Sequence, residues 1–94
     1  MKADLLYRLK YRLDDGSIVE MVIWRVPRPV AGSAHRFKYR LYFGKGGQRI
    51  VSYDNERGKG DHRHRMERES AYRFTSAEKL IADFLSDIDE ARRG

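Results

Sequence analysis

Ninety-four residues, none of them cysteine, carry 20 Lys and Arg against 14 Asp and Glu, a net charge of +6. Domains usually run about 100–150 residues, so one domain over residues 1–94 is expected, with a core no larger than one sheet face under one helix. The missing thiols exclude a disulfide framework, thiolate metal sites and cysteine nucleophiles, and no apolar run approaches the roughly 20 residues that span a bilayer.

Met1-Lys2-Ala3-Asp4 has no charged-then-apolar leader pattern, so a soluble cytoplasmic protein is the expectation. The charge is unevenly placed. Residues 1–53 hold eleven basic and four acidic side chains, residues 54–69 five of each, and residues 70–94 four basic and five acidic. A basic N-terminal half attracts polyanions through its long-range field and through counterion release, and nucleic acid is the obvious class. The plainer account is that Lys and Arg keep a small domain soluble.

Leu5, Tyr7, Leu9, Tyr11 and Leu13 alternate with Arg8, Lys10 and Arg12. That period of two predicts a strand with one apolar and one basic face. Asp15-Gly16 then marks a hairpin turn. Ile18–Val26 is nearly all apolar and predicts a central strand, with Trp24 in the core; Pro27 and Pro29 end it. A third strand is expected where Arg36, Lys38 and Arg40 alternate with Phe37, Tyr39, Leu41 and Phe43. Here the aromatics suit the core, while Tyr42 shares the basic face. Gly44-Lys45-Gly46-Gly47 is a turn and Gln48–Tyr53 a fourth strand, exposed enough at its edge to pair with a second chain. A polar, loop-like stretch runs from Asp54 to Ser70, and Tyr72–Phe74 suits a short fifth strand. Thr75 and Glu78 have capping-box spacing. Behind them Ala77, Leu80, Ile81, Phe84, Leu85 and Ile88 make one helical stripe. The expected fold is therefore α+β, an antiparallel sheet of four to five strands with a C-terminal helix packed on one face.

Chemistry concentrates in Tyr53–His64, where two His, two Asp, a Glu, a Lys and two Arg share twelve residues with two glycines. His62 and His64 suit proton transfer near neutral pH. Lys59, Arg57, Arg63 or Arg65 would steady a phosphate. Asp54, Glu56 and Asp61 would orient these groups. RNA cleavage needs that combination and no metal: a base for the 2′-hydroxyl, an acid for the leaving oxygen and a cation for the phosphate. The opposing account is a solvated loop whose charges pair locally, each pair contributing about 0–1 kcal/mol. Asp54, Glu56, Asp61, His62 and His64 also offer ligands to a divalent ion, but five basic residues between 57 and 68 oppose a cation. Neither a metal nor a cofactor is expected. His35, at a strand start, has no evident role. Arg36, Lys38 and Arg40 would hold phosphates on the sheet face, with Tyr42 stacking on a base.

The string Val51-Ser52-Tyr53-Asp54-Asn55-Glu56-Arg57-Gly58-Lys59-Gly60-Asp61-His62-Arg63-His64 resembles the signature of the TumE family, small toxins of type II toxin–antitoxin systems. The resemblance extends to Asp15–Trp24, Phe37–Arg40 and Tyr72–Ser76, nearly the whole chain. It implies a partner antitoxin carrying a helix-turn-helix DNA-binding domain and an action on RNA, as is common for toxins of this size. A small ribonuclease centred on His62 and His64 is the expected function, with Lys59, Asp61, Glu56 and Asp54 beside them and Arg57, Arg63, Arg36, Lys38 and Arg40 on the nucleic acid. The alternative is a non-enzymatic module binding nucleic acid or a protein through the basic sheet face.

Overall fold

Alternating side chains build the first four strands, and the computed structural model, which describes residues 2–94, joins them to two more. β1 (Asp4–Arg12), β2 (Ile18–Arg25), β3 (Phe37–Lys45), β4 (Gln48–Asp54), β5 (His62–Arg65) and β6 (Arg68–Ala71) form one six-stranded sheet, and α1 (Ala77–Arg93) follows. The strands lie in sequence order, each antiparallel to its predecessor. Short links suffice for such a meander. Gly46 and Gly47 close β3 onto β4 as a two-residue turn with both φ values positive, 60° and 78°. That turn matches the twist of the strands it joins.

The expected α+β class and packed C-terminal helix hold, and the sheet is wider than the four to five strands expected. The added strands come from the Asp54–Ser70 stretch that read as loop. Tyr72–Phe74 lies in the link between β6 and α1 and is not a strand. β4 lies between β3 and β5, so Gln48–Tyr53 is not an edge; the edges are β1 and β6.

Alternation sends Val19, Met21 and Ile23 of β2, Tyr39, Leu41 and Phe43 of β3, and Val51 and Tyr53 of β4 to one face. Leu80, Phe84 and Ile88 of α1 close over them. Burying a side chain such as Leu80 or Phe84, each 0% exposed, contributes about 1.5–3 kcal/mol. Phe37, Tyr39, Leu41 and Phe43 thus belong to the core region as expected. Trp24 does not: it pairs with Lys38 on the opposite face and is half-buried there. The helix begins one residue later than the capping box suggested. Ser76, not Thr75, is the N-cap, its hydroxyl accepting from the Lys79 amide at 3.0 Å.

One polar group crosses the core layer. The Tyr53 hydroxyl donates to the buried Asp87 of α1, and Arg63 and Arg65 of β5 approach the same carboxylate at 4.0 and 3.7 Å. Burial, reinforced by the Asp87 hydrogen bond, pushes the Tyr53 hydroxyl pKa well above its ordinary value. β5 has no apolar side chain to give the core, and this cluster is what fastens it under the helix.

Candidate functional site

The register of β3, β4 and β5 decides which motif residues meet. Val51 and Tyr53 point into the core, so Ser52 and Asp54 point to the helix-free face. Residues directly opposite in an antiparallel pair share a face. His62 is opposite Asp54 and His64 opposite Ser52, so both imidazoles lie on that face. On the other side Arg40 is opposite Asp54 and Tyr42 opposite Ser52. Two rows result, Arg40-Asp54-His62 and Tyr42-Ser52-His64, running across three strands.

An open cleft of about 620 Å³ lies over these rows, lined by Arg40, Tyr42, Gly47, Arg49, Ser52, Asp54 and Glu56. Arg49 reaches across to His64, with Nη2 3.2 Å from Nδ1. A guanidinium only donates, so His64 Nδ1 accepts and its proton sits on Nε2. Nε2 of His62 is buried without a hydrogen-bond partner among the described residues. Asp54 is held above its ordinary carboxylate pKa, chiefly by burial and then by the neighbouring charge of Glu56; His62 and Arg49 oppose the rise. A carboxylate raised by burial beside a histidine in a cleft is a recognised mark of a functional position.

The loop between β4 and β5 is held by a second network. Asn55 accepts from the Tyr39 amide at 2.9 Å and donates to the Phe37 carbonyl at 2.7 Å and to Ser33 Oγ at 3.3 Å. Its side chain therefore continues the β3–β4 ladder one step past Asp54. The Asp61 carboxylate accepts from Ser33 at 2.7 Å, His35 at 2.6 Å and the Tyr39 hydroxyl at 2.6 Å. Burial raises its pKa, but the three hydrogen bonds outweigh burial and hold it below the ordinary value. His35 is saturated: Nδ1 accepts from the Phe37 amide at 3.2 Å while Nε2 faces Asp61. Its ring stacks on Phe74, centroids 3.8 Å apart. The two loops touch at Gly32 and Gly60, where a Cβ on Gly32 would sit 2.7 Å from the Gly60 nitrogen.

A family model described as Toxin TumE matches residues 2–92. The chain belongs to the TumE toxin family. Membership gives it the role of a toxin and implies an antitoxin partner. No curated protein and no solved structure matches it. No helix among the described residues is long and apolar enough to cross a membrane.

In this TumE chain the Tyr53–His64 string divides between two tasks. Asp54 and Glu56 line the cleft, while His62 and His64 lie on the same sheet face without lining it. Asn55 and Asp61 are spent on pinning the loop. Asp61 therefore does not join the imidazoles of His62 and His64. Arg63 lies on the helix face, against Tyr53 and Asp87. Lys59 pairs with Glu56 at 3.6 Å on an exposed turn, next to exposed Arg57. Lys38 and Arg40 are exposed on the cleft side of β3. Arg36, just before β3, lines a separate recess with Lys2, Asp4 and Arg25. Among the described residues, no three His, Asp or Glu side chains are grouped closely enough to hold a metal ion. Sequence reasoning missed Arg49, which lies one strand away from the histidines. It also missed Ser33 and His35, whose only signal was a glycine near each of two loops.

Proposed function

We propose that this TumE toxin is the toxic half of a type II toxin–antitoxin pair, held by a helix-turn-helix antitoxin, and that it cleaves RNA in the cytoplasm at the helix-free face. The observation that carries this is the pair of imidazoles, His62 and His64, aligned on one face with Asp54 cross-strand from His62 and Arg49 against His64. Residues two apart on a strand are roughly 6.5–7 Å apart, a span that lets two groups serve opposite sides of one phosphate. His62 takes the 2′-hydroxyl proton at Nδ1, since Nε2 is buried, and the charge of Asp54 on the adjacent strand steadies the imidazolium that forms. The 2′-oxygen attacks phosphorus and the bond to the 5′-oxygen breaks. With Arg49 drawn off Nδ1 to the phosphate, His64 enters as the imidazolium and donates its Nε2 proton to the departing oxygen, leaving a cyclic phosphate. Arg40 and Arg49 hold the negative phosphate. Lys38, with Lys59 and Arg57 at the rim, binds the strand on either side, and Tyr42 stacks on a base. Asp61 and Asn55 act by position alone.

Incubating the purified chain with mixed RNA, with and without EDTA, beside a His62→Ala, His64→Ala variant tests this. The expected result is cleavage that survives EDTA and falls by about 10²–10⁴ in the variant. Cleavage by the double variant at the full rate would refute the assignment. If no RNA is cut while Lys38→Glu with Arg40→Glu still abolishes RNA binding, the face is a non-enzymatic nucleic-acid-binding surface, and toxicity comes from occupancy.

A further inference from the structure

β1 is nine residues long, has one neighbour, and is exposed at every position except the half-buried Leu9. Among the described residues it carries four of the six exposed large apolar side chains: Leu5 at 44%, Leu6 at 46%, Tyr7 at 40% and Tyr11 at 38%. Pairing with β2 places Tyr7, Leu9 and Tyr11 on the helix side and Arg8, Lys10 and Arg12 on the other. α1 packs on β3 and β4 and leaves this end of the sheet bare. A long apolar edge with free backbone donors and acceptors is a template for another strand, and proteins otherwise shorten or cover such edges.

We propose that β1 is the docking edge for an extended acidic segment of the antitoxin, which adds as a seventh strand with acidic side chains beside Arg8 and Arg12 and apolar ones beside Tyr7, Leu9 and Tyr11. Charge selects this occupant over a second copy of the chain. Two β1 strands paired antiparallel, with their apolar sides matched, set Arg8, Lys10 and Arg12 opposite one another, and directly opposed like charges destabilise a pair. β1 lies four strands from His62 and His64, roughly 19 Å away. Docking is thus separate from the cleft, and the proposal rests on the toxin role alone, not on RNA cleavage.

The probe is a synthetic peptide of alternating Glu and Val, as long as β1, with alternating Lys and Val as control, at low ionic strength. Only the acidic peptide should bind, slowing hydrogen exchange at amides of Asp4–Arg12. Arg8→Glu with Arg12→Glu should weaken it about tenfold. Lys10 stays because it faces Glu20. Both changed side chains are exposed, and an unchanged circular dichroism spectrum checks the fold. The same double variant should keep full toxicity and escape neutralisation by co-expressed antitoxin. Equal binding of both peptides, protection outside β1, concentration-dependent dimerisation through β1, or loss of RNA binding in the double variant would each overturn the proposal. Failure of the ribonuclease reading would leave the peptide-binding, hydrogen-exchange, oligomeric-state and neutralisation readouts intact.

Discussion

Two aspartates seven residues apart behave oppositely because of what surrounds them. Asp61 receives three hydrogen bonds, and its pKa is held below the ordinary 3.8. It therefore contributes stability above the unfolded-state value, lost as pH falls through the folded one. Asp61→Ala strands three donors and should cost about 3 kcal/mol at pH 7, seen as a fall in thermal midpoint. Asp54 is held above 3.8 by burial and by Glu56, so its charged form costs stability at pH 7 and that cost vanishes on acidification. Asp54→Asn should raise the thermal midpoint at pH 7, with a gain that shrinks as pH is lowered toward 4, while RNA cleavage falls. A stabilised variant with impaired activity is the pattern expected where a site keeps an unfavourable group for its chemistry. A loss of stability at pH 7 in Asp54→Asn would count against that assignment.

Among the elements, the helix end is the sharpest disagreement between pattern and structure. Thr75 and Glu78 satisfy the capping-box spacing, yet the Ser76 hydroxyl takes the Lys79 amide. Ser76→Ala should cost about 1 kcal/mol in denaturant unfolding, whereas Thr75→Ala should stay within about 0.5 kcal/mol. Reversed effects would restore Thr75 as the cap. The β5–β6 hairpin went unread for a related reason. Its turn, Arg65-Met66-Glu67-Arg68, lacks glycine, asparagine and proline, and Met66 adopts a φ of 57° that rarely suits such a residue. Nor does His62-Arg63-His64-Arg65 alternate apolar with polar. Its inward side chains are arginines, made tolerable by one aspartate on α1. No local rule anticipates a strand whose core-facing groups are charged.

At the level of the molecule, a net charge of +6 and a cationic cleft side predict salt-sensitive RNA binding. Three phosphate contacts, through Lys38, Arg40 and Arg49, give a slope of about −2 in log affinity against log salt for single strands, and Arg40→Ala should flatten it by about 0.7. A slope near zero would remove the phosphate contacts. The α+β class, the first four strands and the amphipathic helix were legible in the sequence, because each rests on a local period of two or 3.6 residues that burial then rewards. The string Tyr53–His64 was legible as the place where chemistry gathers. Which of its members gather was not. A strand register decides that His62 sits opposite Asp54 and His64 opposite Ser52, and that Arg63 turns to the helix. A crossing of two loops decides that Asp61 is claimed by His35 and Ser33, partners 26 and 28 residues away in the chain. Periodicity is written in neighbouring residues, whereas pairing across strands and between loops is set by side chains that meet only once the whole sheet has formed.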